Sequence, residues 1–101
     1  ANQVHFKGVL VLDNGAVLKL RSQGSSLLSV GVKSVEGNFL RGDIVKCVDD
    51  KGTIVAQGVI NYSSDDARTI KGVVSERFSD VLGYLGEEEL VHRDNLIVAP
   101  D

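Results

Sequence analysis

The stretch that most constrains the fold is "DIVKCVDDKGTIVAQGVINY", Asp43 to Tyr62. Ile44, Val45, Cys47 and Val48 predict a strand, and Thr53 to Tyr62 predicts its return. Between them Asp49-Asp50-Lys51-Gly52 has hairpin-turn chemistry, with Gly52 free to take a positive φ. Gly58, in the middle of the return strand, predicts a bulge or the sharp bend that small barrels need at corners.

The rest of the chain supplies partners for that hairpin. "KGVLVLD" (Lys7–Asp13) is a short apolar run ended by Asp-Asn-Gly and reads as a buried strand. "NGAVLKLRSQG" predicts a short helix with Asn14 as N-cap and Gly24 as its stop. "SSLLSVG" reads as a loop anchored by Leu27 and Leu28, and Val32, Val35 and Phe39 continue the β signals up to a turn at Arg41-Gly42-Asp43. "SSDDARTIKG" predicts a helix capped by Ser63 or Ser64, with Asp65 and Asp66 on its positive end. "SERFSDVLGYLG" predicts a second, capped by Ser75 and stopped at Gly83, with Phe78, Val81 and Leu82 as its apolar stripe. Glu87-Glu88-Glu89 reads as a solvated turn, and "LVHRDNLIVA" as a last, interrupted strand.

With 101 residues the chain has room for one domain, residues 1–101, burying roughly two-thirds of its unfolded surface. Five to six short strands with two to three short helices predict a β-rich α+β fold, a small mixed barrel. Val9, Val11, Leu18, Leu28, Ile44, Val55, Val59, Phe78, Leu82 and Ile97 are expected to dominate its core. The lone Cys47 has no internal disulfide partner, suits a reducing compartment and is expected to be a buried small hydrophobe. No signal peptide is visible and no apolar run approaches the ~20 residues of a membrane span, so a cytoplasmic location without membrane contact is expected. The absence of Met makes Ala1 look like an excised or processed start.

Net charge is −3, divided into +3 over residues 1–48 and −6 over residues 49–101. The first half can form a weakly positive face, short of a dedicated nucleic-acid binder's basic footprint.

"VHRDN" (Val91–Asn95) opens like the catalytic loop of a protein kinase, where the Asp takes a proton and an Asn five positions on binds metal. Here the position five beyond Asp94 is Ala99, and neither a glycine-rich phosphate loop nor Asp-Phe-Gly is present. The segment instead predicts a strand-to-strand corner, with Asp94 and Asn95 bonding backbone amides and Arg93 pairing with an acid. His5, expected to be exposed, and His92 are the only histidines, and no HxH or CxxC spacing exists. No G-x-S-x-G elbow or P-loop appears either. The residues themselves carry no catalytic or metal site.

Taken together, "LDNGAVLKL", "GSSLLSVGVKSVEGNFLRGD", "AQGVINYSSD" and "VHRDNLI" resemble the PUA domain at the C-terminus of bacterial glutamate 5-kinase, over about Lys7 to Val98. The looser PUA pattern G-x-F-x-x-G-D then A-x-G falls on Gly37, Phe39, Gly42 and Asp43, then Ala56 and Gly58. The resemblance implies a PUA-like pseudobarrel. It also implies a parent enzyme whose N-terminal amino-kinase domain uses ATP and Mg²⁺ to phosphorylate the γ-carboxylate of glutamate, the first step of proline synthesis. This chain would bind no cofactor and catalyse nothing itself. Its partner would be that kinase domain, in a homo-oligomeric parent, and its role accessory or regulatory.

PUA domains of tRNA- and rRNA-modifying enzymes bind structured RNA, so RNA binding is the alternative. The resemblance then implies contacts from the first helix, the following loop and the next strand: Lys19, Arg21, Lys33 and Arg41 neutralising phosphates, with Gly31 and Gly37 letting backbone approach. Aromatic residues are 5% of the chain, so base-stacking platforms are scarce. A free-standing PUA protein, or the PUA part of a translation-related protein, is a third reading.

Overall fold

A computed structural model describes residues 5–100. Five strands form one sheet: β1 (Gly8–Leu12), β2 (Val32–Gly37), β3 (Ile44–Val48), β4 (Ile54–Val59) and β5 (Leu96–Val98). Their order is β2-β1-β3-β4-β5, with β1 parallel to β3 and every other pair antiparallel. Three α-helices, α1 (Asn14–Gln23), α2 (Ser64–Ile70) and α3 (Phe78–Leu82), and three 3₁₀ turns, Ser29–Gly31, Ser75–Arg77 and Arg93–Asn95, complete it. This is the mixed, β-rich pseudobarrel the sequence predicts.

The β3–β4 hairpin shows why local chemistry sets the fold. The Asp49 carboxylate accepts from the backbone N–H of Lys51 and of Thr53, both at 2.9 Å, and Gly52 sits at φ 84° where a side chain would be strained. Gly24 (φ 58°) ends α1, Gly83 (φ 81°) ends α3, and Ser63 Oγ caps α2 by accepting from Asp66 N–H. Two caps differ from expectation. Asp13, not Asn14, caps α1, its Oδ1 accepting from Ala16 N–H at 2.8 Å. Ser75 opens a 3₁₀ turn without a side-chain cap, and α3 begins only at Phe78.

The core lies on one face of the curled sheet. Leu10, Leu12, Val45, Cys47, Ala56 and Ile60 point inward and meet Val17 and Leu20 from α1, Ala67 and Ile70 from α2, and Phe78 from α3. Each large aliphatic buried there stabilises the fold by about 1.5–3 kcal/mol against leaving it in water. Tyr62 and Phe78 meet edge to face, centroids 5.9 Å apart.

Most of the residues expected in the core are not there. Val55 and Phe78 are buried, and Leu82 packs at its margin. Leu18 and Leu28 are exposed, while Leu27 takes the anchoring position. Val9, Val11, Ile44, Val59 and Ile97 lie outside the core cluster, on the opposite side of the sheet. In runs such as "VLVL" both alternating sets are apolar, so alternation cannot say which set faces in.

The irregularity expected at Gly58 is elsewhere. Along β3–β4, Cys47 pairs with Ala56 but Val48 with Ile54, so Val55 is the extra residue and turns into the core. Gly58 is instead a point of close approach. A β-carbon there would stand 2.5 Å from Asn95 O and 2.6 Å from Val91 Cγ1.

Candidate functional site

The kinase-like "HRD" segment resolves into packing. Residues Arg93–Asn95 make one 3₁₀ turn that leads into β5 and rests on Gly58. The turn is capped by the His92 ring, whose Nδ1 accepts from Asp94 N–H at 3.1 Å, a role the sequence assigns to Asp and Asn side chains. The Asp94 carboxylate points to solvent, 3.5 Å from the same nitrogen. Arg93 N–H donates to Ser26 Oγ at 2.8 Å, and among the described residues the Arg93 side chain makes no ion pair. A bridge between Leu27 and Val91 ties this corner to the loop after α1.

Cys47 lies fully buried in β3, and desolvation pushes its thiol up to about 12. A thiol so protonated is a packing group. Among the described residues no cluster of three or more His, Cys, Asp or Glu is placed to hold a metal ion, and no helix is long and apolar enough to cross a membrane. His5 is exposed, as expected.

The best-formed concavity is a groove of about 350 Å³ between α1 and the loop from Ser25 to Gly31. Ala16, Lys19 and Gln23 line it from the helix, and Ser25, Leu28 and Val30 from the loop. This is the region where the family resemblance sets RNA contacts, and the groove brings together two of the six candidates, Lys19 and Gly31. Gly31 serves packing: a β-carbon there would meet Ala16 Cβ at 2.6 Å, so its glycine lets α1 seat against the loop.

The other four are dispersed. Arg21 lies about 200° around the helix from Lys19, two residues on at 3.6 residues per turn. Lys33 is exposed at a bulge in β2, passed over between the pairs Leu12–Val32 and Val11–Ser34. Gly37 (φ 96°) sits against Lys7 O, and its carbonyl accepts from Arg68. Arg41 is engaged in a bidentate pair with Glu87, one arm at 2.9 Å, which holds the Glu87 carboxyl below its usual range.

That pair belongs to a brace the sequence did not disclose. Tyr62 Oη donates to the carbonyl of Glu87, Asn61 Nδ2 to that of Glu89 at 3.0 Å, and Tyr84 Oη to the Asp66 carboxylate at 2.5 Å. The acidic turn is thus strapped to β4's end and to α2. Its one local signal was the pairing of polar-tipped aromatics with acids. The partner spacings, 18 to 46 residues, lie beyond any local pattern.

Comparison with known proteins agrees with this architecture. The PUA domain family matches residues 8–82. Glutamate 5-kinase of Chromohalobacter salexigens is 54% identical over 98 residues, 97% of this chain and 26% of that protein. Glutamate 5-kinase of Hahella chejuensis is 53% identical, over 97% of this chain and 25% of its own length. The chain therefore spans about a quarter of the curated relatives it matches. Among solved structures, a PUA domain from Aeropyrum pernix is 28% identical over 85% of this chain and 41% of its own, with a TM-score of 0.61. The archaeal box H/ACA sRNP Nop10–Cbf5 complex shares the fold, at 20% identity over 86% of this chain and 25% of its own, with a TM-score of 0.58. With its sheet order, its glycine contacts and these matches in agreement, the chain belongs to the PUA domain family, in the form carried by glutamate 5-kinases.

Proposed function

We propose that this chain is the non-catalytic accessory module of a cytoplasmic glutamate 5-kinase. The amino-kinase portion of that enzyme transfers the γ-phosphoryl group of ATP to the γ-carboxylate of glutamate and holds the Mg²⁺ that reaction uses. The carrying observation is the match of about half identity across nearly all of this chain to a quarter of each relative. The remaining three quarters supply ample chain for the chemistry. The geometry favours a module that acts through protein contacts. The groove beside α1 sets one lysine, Lys19, against one carboxylate, Asp13, and Arg41 is already paired. Few phosphates would be neutralised there, and phosphate contacts dominate nucleic-acid affinity.

The test is removal of the domain from the full-length kinase. ATP-dependent phosphorylation of glutamate is expected to persist, with altered glutamate saturation or altered oligomeric state. Unchanged kinetics and unchanged assembly would refute the accessory role. Salt-dependent binding of structured RNA by the full-length enzyme, weakened by Lys19→Ala and Lys33→Ala, would transfer the role to RNA recognition.

A further inference from the structure

The loop after α1 exposes two aliphatic side chains where its neighbours are buried. Leu27 and Ser29 turn inward, while Leu28 and Val30 turn out, 44% and 50% exposed. Both line the groove beside α1. Both also line a second, smaller hollow of about 90 Å³ together with Val74, which is 47% exposed. Leu28 and Val30 thus form an apolar ridge between two hollows. The ridge is fixed from both sides. Ser29 Oγ donates to Val73 O at 2.5 Å, Gly72 N–H to Ser29 O at 2.8 Å, and Asp13 N–H to Gly31 O at 2.9 Å. A surface held in place in this way loses little freedom when it is covered. Single exposed aliphatics are ordinary, but several lining one hollow mark an interaction site.

The charges on either side say what covers the ridge. Lys19 lines the α1 groove, whose one carboxylate, Asp13, is committed to the cap of α1. Glu76 and Glu88 line the smaller hollow, and no cation lines it with them. A ridge with a base on one side and acids on the other is complementary to itself. We infer that this ridge is the centre of an isologous contact between two copies of the chain. A two-fold axis through Leu28 and Val30 sets the two ridges together. It also brings Lys19 of each copy against Glu76 and Glu88 of the other, twice over. A charged rim around an apolar centre is the ordinary anatomy of a protein–protein contact. A nucleic acid laid on the same ridge would meet Glu76 and Glu88. With three aliphatics at its centre the contact is small and belongs to the weak, reversible class. The inference does not depend on which enzyme carries the domain.

The chain encloses its own hydrophobic core, so the test uses the 101-residue chain itself. In sedimentation equilibrium its mass is expected to rise with concentration from 10.8 kDa toward twice that value. Lys19→Glu alone, and Glu76→Lys with Glu88→Lys, should each weaken self-association about tenfold or more, because each sets like charges together. Mixing the two variants should restore it, since every contact then joins opposite charges again. A misfolded variant could not give that recovery. As a second readout, Val30→Cys is oxidised in parallel with Ile97→Cys, which lines neither hollow. Cys47 is buried and stays out of the reaction. Disulfide-linked dimer is expected to form about tenfold or more faster at 30 than at 97, since the axis holds the two copies of residue 30 together. A mass fixed at 10.8 kDa up to ~1 mM would overturn the inference. So would equal cross-linking rates, or self-association that ignores the charge reversals.

Discussion

Replacing Gly58 with alanine should be among the most damaging single-methyl changes in the molecule. The added carbon would lie 2.5 Å from the Asn95 carbonyl oxygen, 2.6 Å from Val91 Cγ1 and 3.2 Å from Leu96 Cδ1, where ordinary contact starts at 3.4 Å. The obstacle at Asn95 is backbone and cannot rotate away. The neighbouring segment is pinned by the Leu27–Val91 bridge and by Asn61 N–H donating to Leu90 O at 2.8 Å. Overpacking of this kind costs about 1–3 kcal/mol, and a backbone obstacle puts Gly58→Ala near ~3 kcal/mol. For a domain of this size that lowers Tm by roughly 15 °C. Urea denaturation followed by circular dichroism would read it as a fall in midpoint at constant slope. Gly15→Ala is the control. Its β-carbon would meet only Asp13 Oδ1, at 3.5 Å, and in a helix it should stabilise by up to about 0.5 kcal/mol. A Gly58→Ala variant within about 0.5 kcal/mol of the parent would refute the claimed close approach of the turn before β5 to β4.

Gly31→Ala should destabilise by about 1–3 kcal/mol through its clash with Ala16, and adding Ala16→Gly should recover more of that loss than two independent changes allow, measured by a double-mutant cycle of urea melts. Cys47 should resist alkylation at pH 8 until the protein unfolds, since burial holds its thiol near 12; rapid labelling of the folded chain would contradict this. The Tyr84 phenol, raised from 10 to about 12 by desolvation and then by its hydrogen bond to Asp66, binds its proton more tightly folded than unfolded. Its contribution to stability is therefore complete below pH 10 and is lost as pH rises through about 12; alkaline melts of wild type and Tyr84→Phe should diverge below pH 10 and converge above that window.

What was legible in the sequence was local. The Asp49–Gly52 hairpin, the Gly24 and Gly83 stops and the Ser63 cap each depend on groups within a few residues, and each formed where its residues predict. The displaced cap is informative: Asp13 and Asn14 are both good caps, and the choice fell to Asp13 because β1 runs through Leu12 and leaves Asp13 as the first extended residue before the helix. Face assignment was not legible. "GVLVL" and "IVKCV" offer apolar residues at both parities, so the inward set was decided by helices and loops far along the chain. The candidate site fared likewise. The resemblance put Lys19 and Arg21 in one set of contacts, but helical geometry separates them, and Arg41 found its acid 46 residues away.

The most direct measurement is steady-state glutamate phosphorylation by the kinase without this domain, alone and with the 101-residue chain added back. The chain alone should show no activity. The truncated kinase should remain active with altered glutamate saturation or assembly, and the added chain should move it back toward full-length behaviour. Phosphoryl transfer by the chain itself would contradict the account. So would a truncated kinase indistinguishable from full length and indifferent to the added domain.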